Sequence, residues 1–379
     1  MKKETKQLLR IGITGQQGFV GRHLFNTLNL FPEEFVLINF QRDFFENEND
    51  LDHFVANCDV IVHLAAVNRH ESAQFIYDSN IDLVKRLIDS LTRTKSKAHI
   101  IISSSSQEER DNLYGRSKKE GRMALANWAV ENDITFTGLV IPNVFGPFCK
   151  PFYNSFIATF CHQLISGTIP TINIDASVNL IFVQDLVQEI IGHIRRSTNK
   201  SELIIEATNE LKVSQILEML KSFKETYFNR GEIPSLNSSF EHNLFNTFRS
   251  YIDHRNHFPI KFVQHIDPRG AFVEVIRLGI GGQCSFSTTV PGITRGNHYH
   301  TRKIERFAVI KGKALIQLRK IDSDEILDFY LEGSEPAYVD MPIWFTHNIK
   351  NIGDEDLYTI FWINEPYNPE NPDTYFLNV

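Results

Sequence analysis

The chain has 379 residues, a length that suggests two domains. Its net charge is −7, and its composition, 42% hydrophobic and 22% charged, is ordinary for a globular protein. The negative charge, without a long basic run, excludes a surface for nucleic acids. A membrane span is also excluded, because no stretch reaches the roughly 18 apolar residues that a span needs.

The N-terminus, MKKETKQLLRIGITG, is basic but lacks an apolar core followed by a cleavage site, so we expect no signal peptide. The cysteines have no paired spacing; they are Cys58, Cys149, Cys161 and Cys284. Both features indicate a cytoplasmic protein with reduced thiols.

The first predicted strand, RIGIT at residues 10–14, leads into a turn with Gly15, Gly18 and Gly21 and then into the helical pattern FVGRHLFNTL. Glycines let the backbone approach a pyrophosphate closely, and the N–H groups at the start of a helix attract its charge. The order of strand, glycine turn and helix therefore predicts a dinucleotide site.

The second strand, EFVLINF, ends near Phe40, about 20 residues beyond the glycines, where a ribose contact is expected. No acidic residue closes this strand, and Arg42 follows it. A guanidinium at this place favours a 2′-phosphate and hence NADPH. A solvated surface arginine is the alternative interpretation of the same residue.

Two later strands, DVIVHLAA at 59–66 and HIIISSS at 99–105, are nearly continuous apolar runs, which is typical of parallel sheets. Helical patterns such as residues 80–92 lie between the strands. This alternation predicts a doubly wound, Rossmann-type α/β domain.

Tyr114 and Lys118 are four residues apart in YGRSK and share one face of a predicted helix. An ammonium beside a phenol lowers the pKa of the phenol, which would make Tyr114 an acid or base near neutral pH. A serine hydroxyl at the end of the preceding strand can bind the same substrate oxygen. The serine, Tyr114 and Lys118 together indicate acid–base catalysis.

The motifs TGQQGFVG, DVIVHLAA, SSS, YGRSK and IPNVFGP resemble the extended short-chain dehydrogenase/reductase family, which acts on nucleotide sugars. The resemblance implies a catalytic triad of Ser105, Tyr114 and Lys118, with Ser104 as the fallback. It places Asn143 and Asn154 near the nucleotide sugar. The residues expected to contact the cofactor are Thr14, Gly15, Gly18, Phe19, Val20, Gly21, Arg42, Leu64, Ala65, Ala66, Tyr114 and Lys118.

Some departures from this family bear on the chemistry. The segment between Ser105 and Tyr114 is shorter than in most relatives, which predicts a more open site, and Val140 stands where many relatives have arginine. Dehydratase relatives carry Asp-Glu directly after the catalytic hydroxyl. Ser106 and Gln107 stand there in this chain, which argues against dehydration.

After a helical pattern at 211–227, residues 228–260 show weak periodicity and are interpreted as the end of the first domain and a connector. The predicted domains are therefore 1–255 and 256–379. From Phe262 onward short alternating strands dominate, which predicts an antiparallel barrel or jelly roll.

His298 and His300 lie on one face of a predicted strand, and Glu305 and His347 follow. Three imidazoles and a carboxylate form a divalent-metal set with room for an open position, and they suit zinc. The spacing resembles the cupin signature, whose second motif usually has glycine at the position of Trp344.

The stretches DPRGAFVEV and TRGNHYH also resemble the sugar 3,5-epimerases of rhamnose biosynthesis, which share the cupin barrel. This resemblance implies that His298 abstracts a proton beside a carbonyl and that Arg269 and Arg295 bind an anion. The two roles conflict at His298. Metal binding is favoured, because the rhamnose enzymes have glutamine at the position of His300.

Finally, NVFGPFCKPFYNS, FYNSFIATFC and NPDTYF make the whole chain similar to the bifunctional capsular-polysaccharide enzymes of staphylococci. This implies a cupin that epimerises C3 of a UDP-2-acetamido-2,6-dideoxy-4-hexulose. The reductase domain then reduces C4 with NADPH to UDP-N-acetyl-6-deoxy-L-talosamine, a precursor of UDP-N-acetyl-L-fucosamine for capsule or O-antigen. A homodimer is expected. Because a carbonyl acidifies only the C–H beside it, the cupin must act first.

Two other functions are open at this point. A nucleotide-sugar 4-epimerase would keep NAD bound and return the hydride, and its cupin would be non-catalytic. Alternatively, a silent cupin serves as a sugar-binding or dimerisation module on a simple reductase. Consumption of one NADPH per product excludes the first, and full turnover without metal in the cupin favours the second.

Overall fold

The computed structural model describes residues 8–267, 270–273, 275, 281–365 and 368–379, with the backbone alone for 264–267 and 270–273. The chain divides into two compact units. The first unit comprises Met1–Phe160 and Thr171–Ile216, and the second comprises Cys161–Pro170 and Leu217–Val379. Within the described ranges, no helix is both long and apolar enough to cross a membrane.

The N-terminal part alternates strands and helices, as the sequence predicts. Its strands are β1 Leu9–Thr14, β2 Phe35–Ile38, β3 Val60–His63, β4 His99–Ser105, β5 Phe136–Ile141, β6 Asn143–Phe145, β7 Ser177–Phe182, β8 Lys200–Ile204 and β9 Asn209–Lys212. Its helices are α1 Phe19–Leu28, α2 Glu48–Ala56, α3 Ala73–Arg93, α4 Leu113–Glu131, α5 Phe156–Ile165, α6 Val183–Arg196 and α7 Val213–Phe223, with 3₁₀ turns at Arg42–Glu46 and Ser106–Glu109.

Six of these strands form one parallel sheet in the order β2-β1-β3-β4-β5-β8, and β6, β7 and β9 form a small second sheet. Successive residues of a strand face opposite sides: Ile61 belongs to one buried apolar cluster and Val62 to another. The large sheet is therefore covered on both faces, and the predicted doubly wound fold is confirmed. The strand order reverses between β1 and β3, where ligands of such sheets bind at the carboxyl ends.

The C-terminal part contains the predicted short antiparallel strands. They are β10 Ile260–Lys261, β11 Gln264–Asp267, β12 Gly270–Val273, β13 Gln283–Thr289, β14 Thr294–Tyr299, β15 Glu305–Lys311, β16 Lys313–Lys320, β17 Ile326–Glu332, β18 Ala337–Met341, β19 Phe345–Asn351, β20 Leu357–Ile363 and β21 Tyr375–Phe376. They form two five-stranded sheets, β10-β18-β15-β20-β13 and β17-β16-β19-β14-β21, and a β11-β12 hairpin. This agrees with the predicted β barrel; its assignment as a cupin stays a prediction.

Further helices follow α7, namely a π-helical turn at Lys224–Asn229 and, within the stretch interpreted as a connector, α8 Ser239–Arg249 and α9 His254–His257. All of them belong to the second unit. There, Tyr227 donates a hydrogen bond to the buried carboxylate of Asp340, which also pairs with Arg306 at 2.8 Å. Removing one partner of such a buried pair is strongly destabilising. The domain boundary at residue 255 stays a prediction.

Candidate active sites

The turn between β1 and α1 has the close backbone approach that a dinucleotide site requires. Gly15 has a φ of +74°, and a Cβ there would lie 2.8 Å from the main-chain nitrogen of Ala65. A Cβ on Gly21 would lie 2.2 Å from the carbonyl oxygen of Gly15. Both positions therefore need glycine. Residues 19–21 form the first turn of α1, where backbone N–H groups have no partner within the helix and attract an anion, so the turn fits the pyrophosphate of a nicotinamide cofactor.

Thr14 connects this turn to the segment that follows β3. Its hydroxyl lies 2.8 Å from Nδ1 of the buried His63 and accepts a hydrogen bond from the N–H of Ala65 at 3.4 Å. Residues 64–66 are thereby held, partly exposed, at the carboxyl edge of the sheet. On α3, buried Asn80 accepts a hydrogen bond at 2.7 Å from the main-chain N–H that follows these residues. Sequence reasoning missed His63 and Asn80, because each acts through a partner that is distant in the chain.

Arg42 lies where the ribose of a dinucleotide is expected. It is exposed and opens the 3₁₀ turn after β2. It borders an open cleft of about 400 Å³, which Asp43 and Glu46 also line. The guanidinium is thus at the predicted place, but two acids beside it weaken its attraction for a phosphate. The selection of NADPH by Arg42 stays a prediction.

Ser105 is the last residue of β4, and Tyr114 and Lys118 belong to α4. The Ser105 hydroxyl hydrogen-bonds the Tyr114 phenol, and Lys118 is buried one helical turn further along α4. Ser104 is also buried, but it donates its hydrogen bond to Glu108. The arrangement therefore places Ser105, rather than Ser104, beside the phenol; the catalytic roles stay predictions.

The predicted lowering of the pKa of Tyr114 is wrong in direction. Burial raises the pKa of Tyr114 to about 12, Tyr153 adds to this, and the hydrogen bond with Ser105 opposes it. Burial also lowers the pKa of Lys118 to about 8, and the charge of Glu108 opposes that shift. A phenolate here would lose its solvation, so Tyr114 is protonated at neutral pH and suited to donate a proton.

An ion pair that sequence reasoning missed lies beside the triad. Glu108 and Arg122 are both buried and form two hydrogen bonds, of 2.9 Å from Nε and 2.6 Å from Nη2. Arg122 follows Lys118 by four residues on α4 and therefore shares its face. This helical spacing is the signal by which Arg122 could have been found. The pair places a carboxylate near the Lys118 ammonium.

The residues implied as substrate contacts in the first unit are exposed. Asn143 begins β6 and donates from Nδ2 to a main-chain carbonyl at 3.1 Å, and Asn154 lies in the bend before α5. Tyr153, which sequence reasoning missed, accepts a hydrogen bond at 3.4 Å from the N–H of Asn68. Since Tyr153 also raises the pKa of Tyr114, it lies near that phenol. The roles of the two asparagines stay predictions.

In the second unit, the four residues predicted to bind a metal form one cluster. One potential ligand atom from each of His298, His300, Glu305 and His347 lies within 4.8 Å of the others. A bulge in β14 at Asn297, with a φ of +57°, sets His298 opposite His347 on β19. The strand pairing thus brings together residues that are far apart in sequence.

The cluster has the donor set of a divalent-metal site. The Nε2 atoms of His300 and His347 lie 3.3 and 3.1 Å from Oε2 of Glu305. All three atoms are buried, and none makes a hydrogen bond of acceptable geometry. Buried polar atoms in this condition need a partner, and a cation at their common point supplies one. The residues therefore fit a bound metal.

Electrostatics keep His298 and Glu305 in their ligand forms. Burial and the neighbouring imidazoles lower the pKa of His298 to about 4, so its ring is neutral at neutral pH. Burial opposes ionisation of Glu305, but the nearby His300 and His347 hold the pKa of its carboxyl well below the usual range. Neutral imidazole and ionised carboxylate are the forms that bind metals.

Trp344 has the backbone conformation for which cupin motifs use glycine. It has a φ of +61° and is buried. Its ring stacks on Tyr299 with centroids 5.8 Å apart, and its main-chain N–H donates to the main-chain carbonyl of His300 at 2.8 Å. These contacts offset a left-handed conformation that costs roughly 1–2 kcal/mol for residues with a side chain.

The two predicted anion-binding arginines of this unit differ in what the structure describes. Arg295 is exposed on β14 and donates to the carbonyl of Thr288 at 3.0 Å. Arg269 lies outside the described residues. Their roles stay predictions.

Comparison with known proteins gives the family. Residues 11–205, more than half of the chain, match the NAD dependent epimerase/dehydratase family. The chain belongs to this family. Residues 265–375 match the polysaccharide biosynthesis C-terminal domain.

Relatives of the family match both units together. The chain is 32% identical over 376 residues to the UDP-2-acetamido-2,6-beta-L-arabino-hexul-4-ose reductase of Pseudomonas aeruginosa, which covers 98% of this chain and 99% of the relative. A second relative is the capsular polysaccharide assembling protein CapF from Staphylococcus aureus, which is 35% identical in sequence. Its crystal structure matches with a TM-score of 0.62, and the match covers 98% of this chain and 100% of that one. The predicted relationship to the bifunctional capsular-polysaccharide enzymes is confirmed.

The family fold also appears in a more distant structure. RMD from Pseudomonas aeruginosa, complexed with NADPH, is 19% identical, with a TM-score of 0.52 over 57% of this chain and 82% of that one. At this identity, the likeness concerns the fold alone.

Proposed function

We propose that the chain is a bifunctional enzyme of a UDP-4-keto sugar, with a zinc-dependent C3-epimerase centre in the second unit and an NADPH-dependent C4-reductase centre in the first. One observation supports this most strongly: each unit holds its own cluster of reactive side chains, Ser105–Tyr114–Lys118 in one and the His/Glu cluster in the other. The name of the Pseudomonas relative supports the substrate class. A cytoplasmic homodimer acting on the 2-acetamido-2,6-dideoxy sugar completes the proposal.

In the reductase centre, a bound nicotinamide supplies the hydride and the protein supplies the proton. The C4 oxygen takes this proton from Tyr114, whose raised pKa keeps the phenol protonated beforehand. Ser105 hydrogen-bonds the same oxygen, and the Lys118 ammonium stabilises the phenolate that remains. General-acid catalysis of this kind contributes about 10²–10⁴-fold to the rate.

In the epimerase centre, the proton at C3 is acidic because C4 is still a ketone. The cluster would hold a divalent cation, which would supply Lewis acidity to a substrate oxygen when bound. His298 is half-exposed, whereas the other three members are buried, so it is the member that a sugar can reach. His298 therefore either binds the metal or exchanges the proton at C3, and these roles give different results when it is replaced.

The proposal is tested by incubating the protein with a UDP-4-keto sugar in D₂O, with and without NADPH, and following the products by NMR. Without NADPH we expect deuterium at C3 and no change at C4. With NADPH we expect one cofactor oxidised per reduced sugar. Interconversion of a UDP sugar that carries a 4-hydroxyl with its C4 epimer, without net NADPH consumption and without deuterium at C3, would instead establish a 4-epimerase with bound NAD.

A further inference from the structure

The last strand of the second unit runs beside the metal cluster. β21 pairs with β14, and Tyr375 stacks on Tyr299 with ring centroids 5.4 Å apart. The N–H of Leu377 donates to the carbonyl of Asn297 at 2.9 Å. These contacts hold the C-terminal segment against the strand that carries His298, and they fix the position of Asp373 just before it.

Asp373 touches the cluster through its main chain. Its carbonyl oxygen accepts a hydrogen bond from Nδ1 of His300. A carbonyl oxygen cannot donate, so in the neutral ring the proton is on Nδ1 and the lone pair is on Nε2. Nε2 is the atom that faces Glu305, and it is therefore ready to bind a cation.

The side chain of Asp373 holds the turn that follows His300. Its buried carboxylate accepts hydrogen bonds from the N–H and the hydroxyl of Thr301 at 3.1 and 2.6 Å. It also accepts from the N–H groups of Arg302 at 3.0 Å and Lys303 at 2.9 Å. Asp373 keeps a φ of +44° while making these bonds, which is uncommon outside glycine and shows how firmly the surroundings hold it.

We propose that Asp373 is a positioning residue of the metal centre, an inference that rests on the proposed function. Its carbonyl sets the tautomer and direction of the His300 ring, and its carboxylate fixes the turn from which that ring projects. The C-terminal segment is then part of the metal site, although it contributes no ligand. Partners of this kind fix ligand orientation and raise ligand basicity.

The test is zinc binding by the full-length protein, measured by competition with a chromophoric chelator at a temperature where circular dichroism shows each variant to be folded. Asp373→Asn puts an amide N–H₂ among donors, and we expect zinc binding to weaken about 10- to 100-fold. Thr301→Val removes one hydrogen bond and keeps the carboxylate. It is the milder variant if Asp373→Asn does not fold, with an expected loss of about fivefold.

Glu365→Gln is the matched control, because Glu365 pairs with Arg302 at 3.0 Å but does not touch His300. Its zinc affinity should equal that of the wild type. Loading with Co²⁺ gives a second readout: the visible absorption bands should shift in Asp373→Asn and not in the control, which a loss of stability alone would not cause. Wild-type affinity and spectrum in both Asp373→Asn and Thr301→Val would overturn the inference. If the wild type itself binds neither Zn²⁺ nor Co²⁺, the metal centre of the proposed function fails, and the inference falls with it.

Discussion

Burial favours the uncharged form of both Tyr114 and Lys118. For the tyrosine this form is the protonated phenol, and for the lysine it is the deprotonated amine. The pKa of Tyr114 is raised to about 12 and that of Lys118 is lowered to about 8. The phenol therefore keeps its proton across the usual working range, whereas the Lys118 cation is present below about pH 8 and is lost above it. We expect kcat/KM for ketone reduction to fall as the pH rises through about 8, measured by NADPH oxidation from pH 6 to 10.

The same profile can be moved by changing one neighbour. The charge of Glu108 raises the pKa of Lys118, so Glu108→Gln should shift the fall in kcat/KM to lower pH. Glu202→Gln is the control, because Glu202 binds the same Arg122 at 2.7 Å but its side chain is 54% exposed. Equal profiles for the wild type and Glu108→Gln would show that another group controls the basic side.

At the level of elements, the parts of the fold that the sequence predicts are those with a local signal. The strand and glycine turn before α1 follow from a few adjacent residues, and β4 covers the predicted stretch His99–Ser105. Apolar periodicity and the backbone demands of glycine act within one element, so they are visible in the sequence.

The unpredicted features depend on partners far apart in the chain. Helix α8 lies in a stretch with weak periodicity and is packed within the second unit. The contact of Asp373 with His300 spans 73 positions, and no spacing rule connects them. The pKa of Tyr114 was predicted in the wrong direction for a related reason, because a sequence shows the charge of Lys118 but not the burial of the phenol.

The 3₁₀ turn after β2 determines the expected choice of cofactor. Arg42→Ala should raise the KM for NADPH far more than the KM for NADH, because a guanidinium pairs with the 2′-phosphate that NADH lacks. Gln17→Ala, which lines the same cleft without a charge, is the control and should affect both cofactors alike. Initial-rate kinetics with each cofactor measure this. Equal rises in both KM values for Arg42→Ala would mean that the arginine is a surface residue without a role in selection.

For the whole molecule, the order of the two proposed reactions is the reverse of the order of the two units in the sequence. The reductase centre lies in the first unit and the His/Glu cluster in the second. In the proposed function, a C4 alcohol would no longer acidify the proton at C3, so epimerisation would have to come before reduction. Premature reduction would produce a sugar that the epimerase centre cannot change, and the balance of the two rates therefore decides the product.

This division of labour predicts that each centre can be removed without the other. Tyr114→Phe should lower NADPH oxidation by about 10²–10⁴-fold, because the C4 oxygen loses its proton donor, and should leave deuterium exchange at C3 intact.

His300→Ala should do the reverse: it removes a ligand, lowers metal content and stops exchange, while reduction of a ketone that needs no epimerisation continues. NMR in D₂O, NADPH absorbance and elemental analysis measure the three quantities. If Tyr114→Phe abolishes exchange together with reduction, the centres are not independent. If His300→Ala loses its metal but keeps exchange, the ion is structural and another group in the barrel is the base.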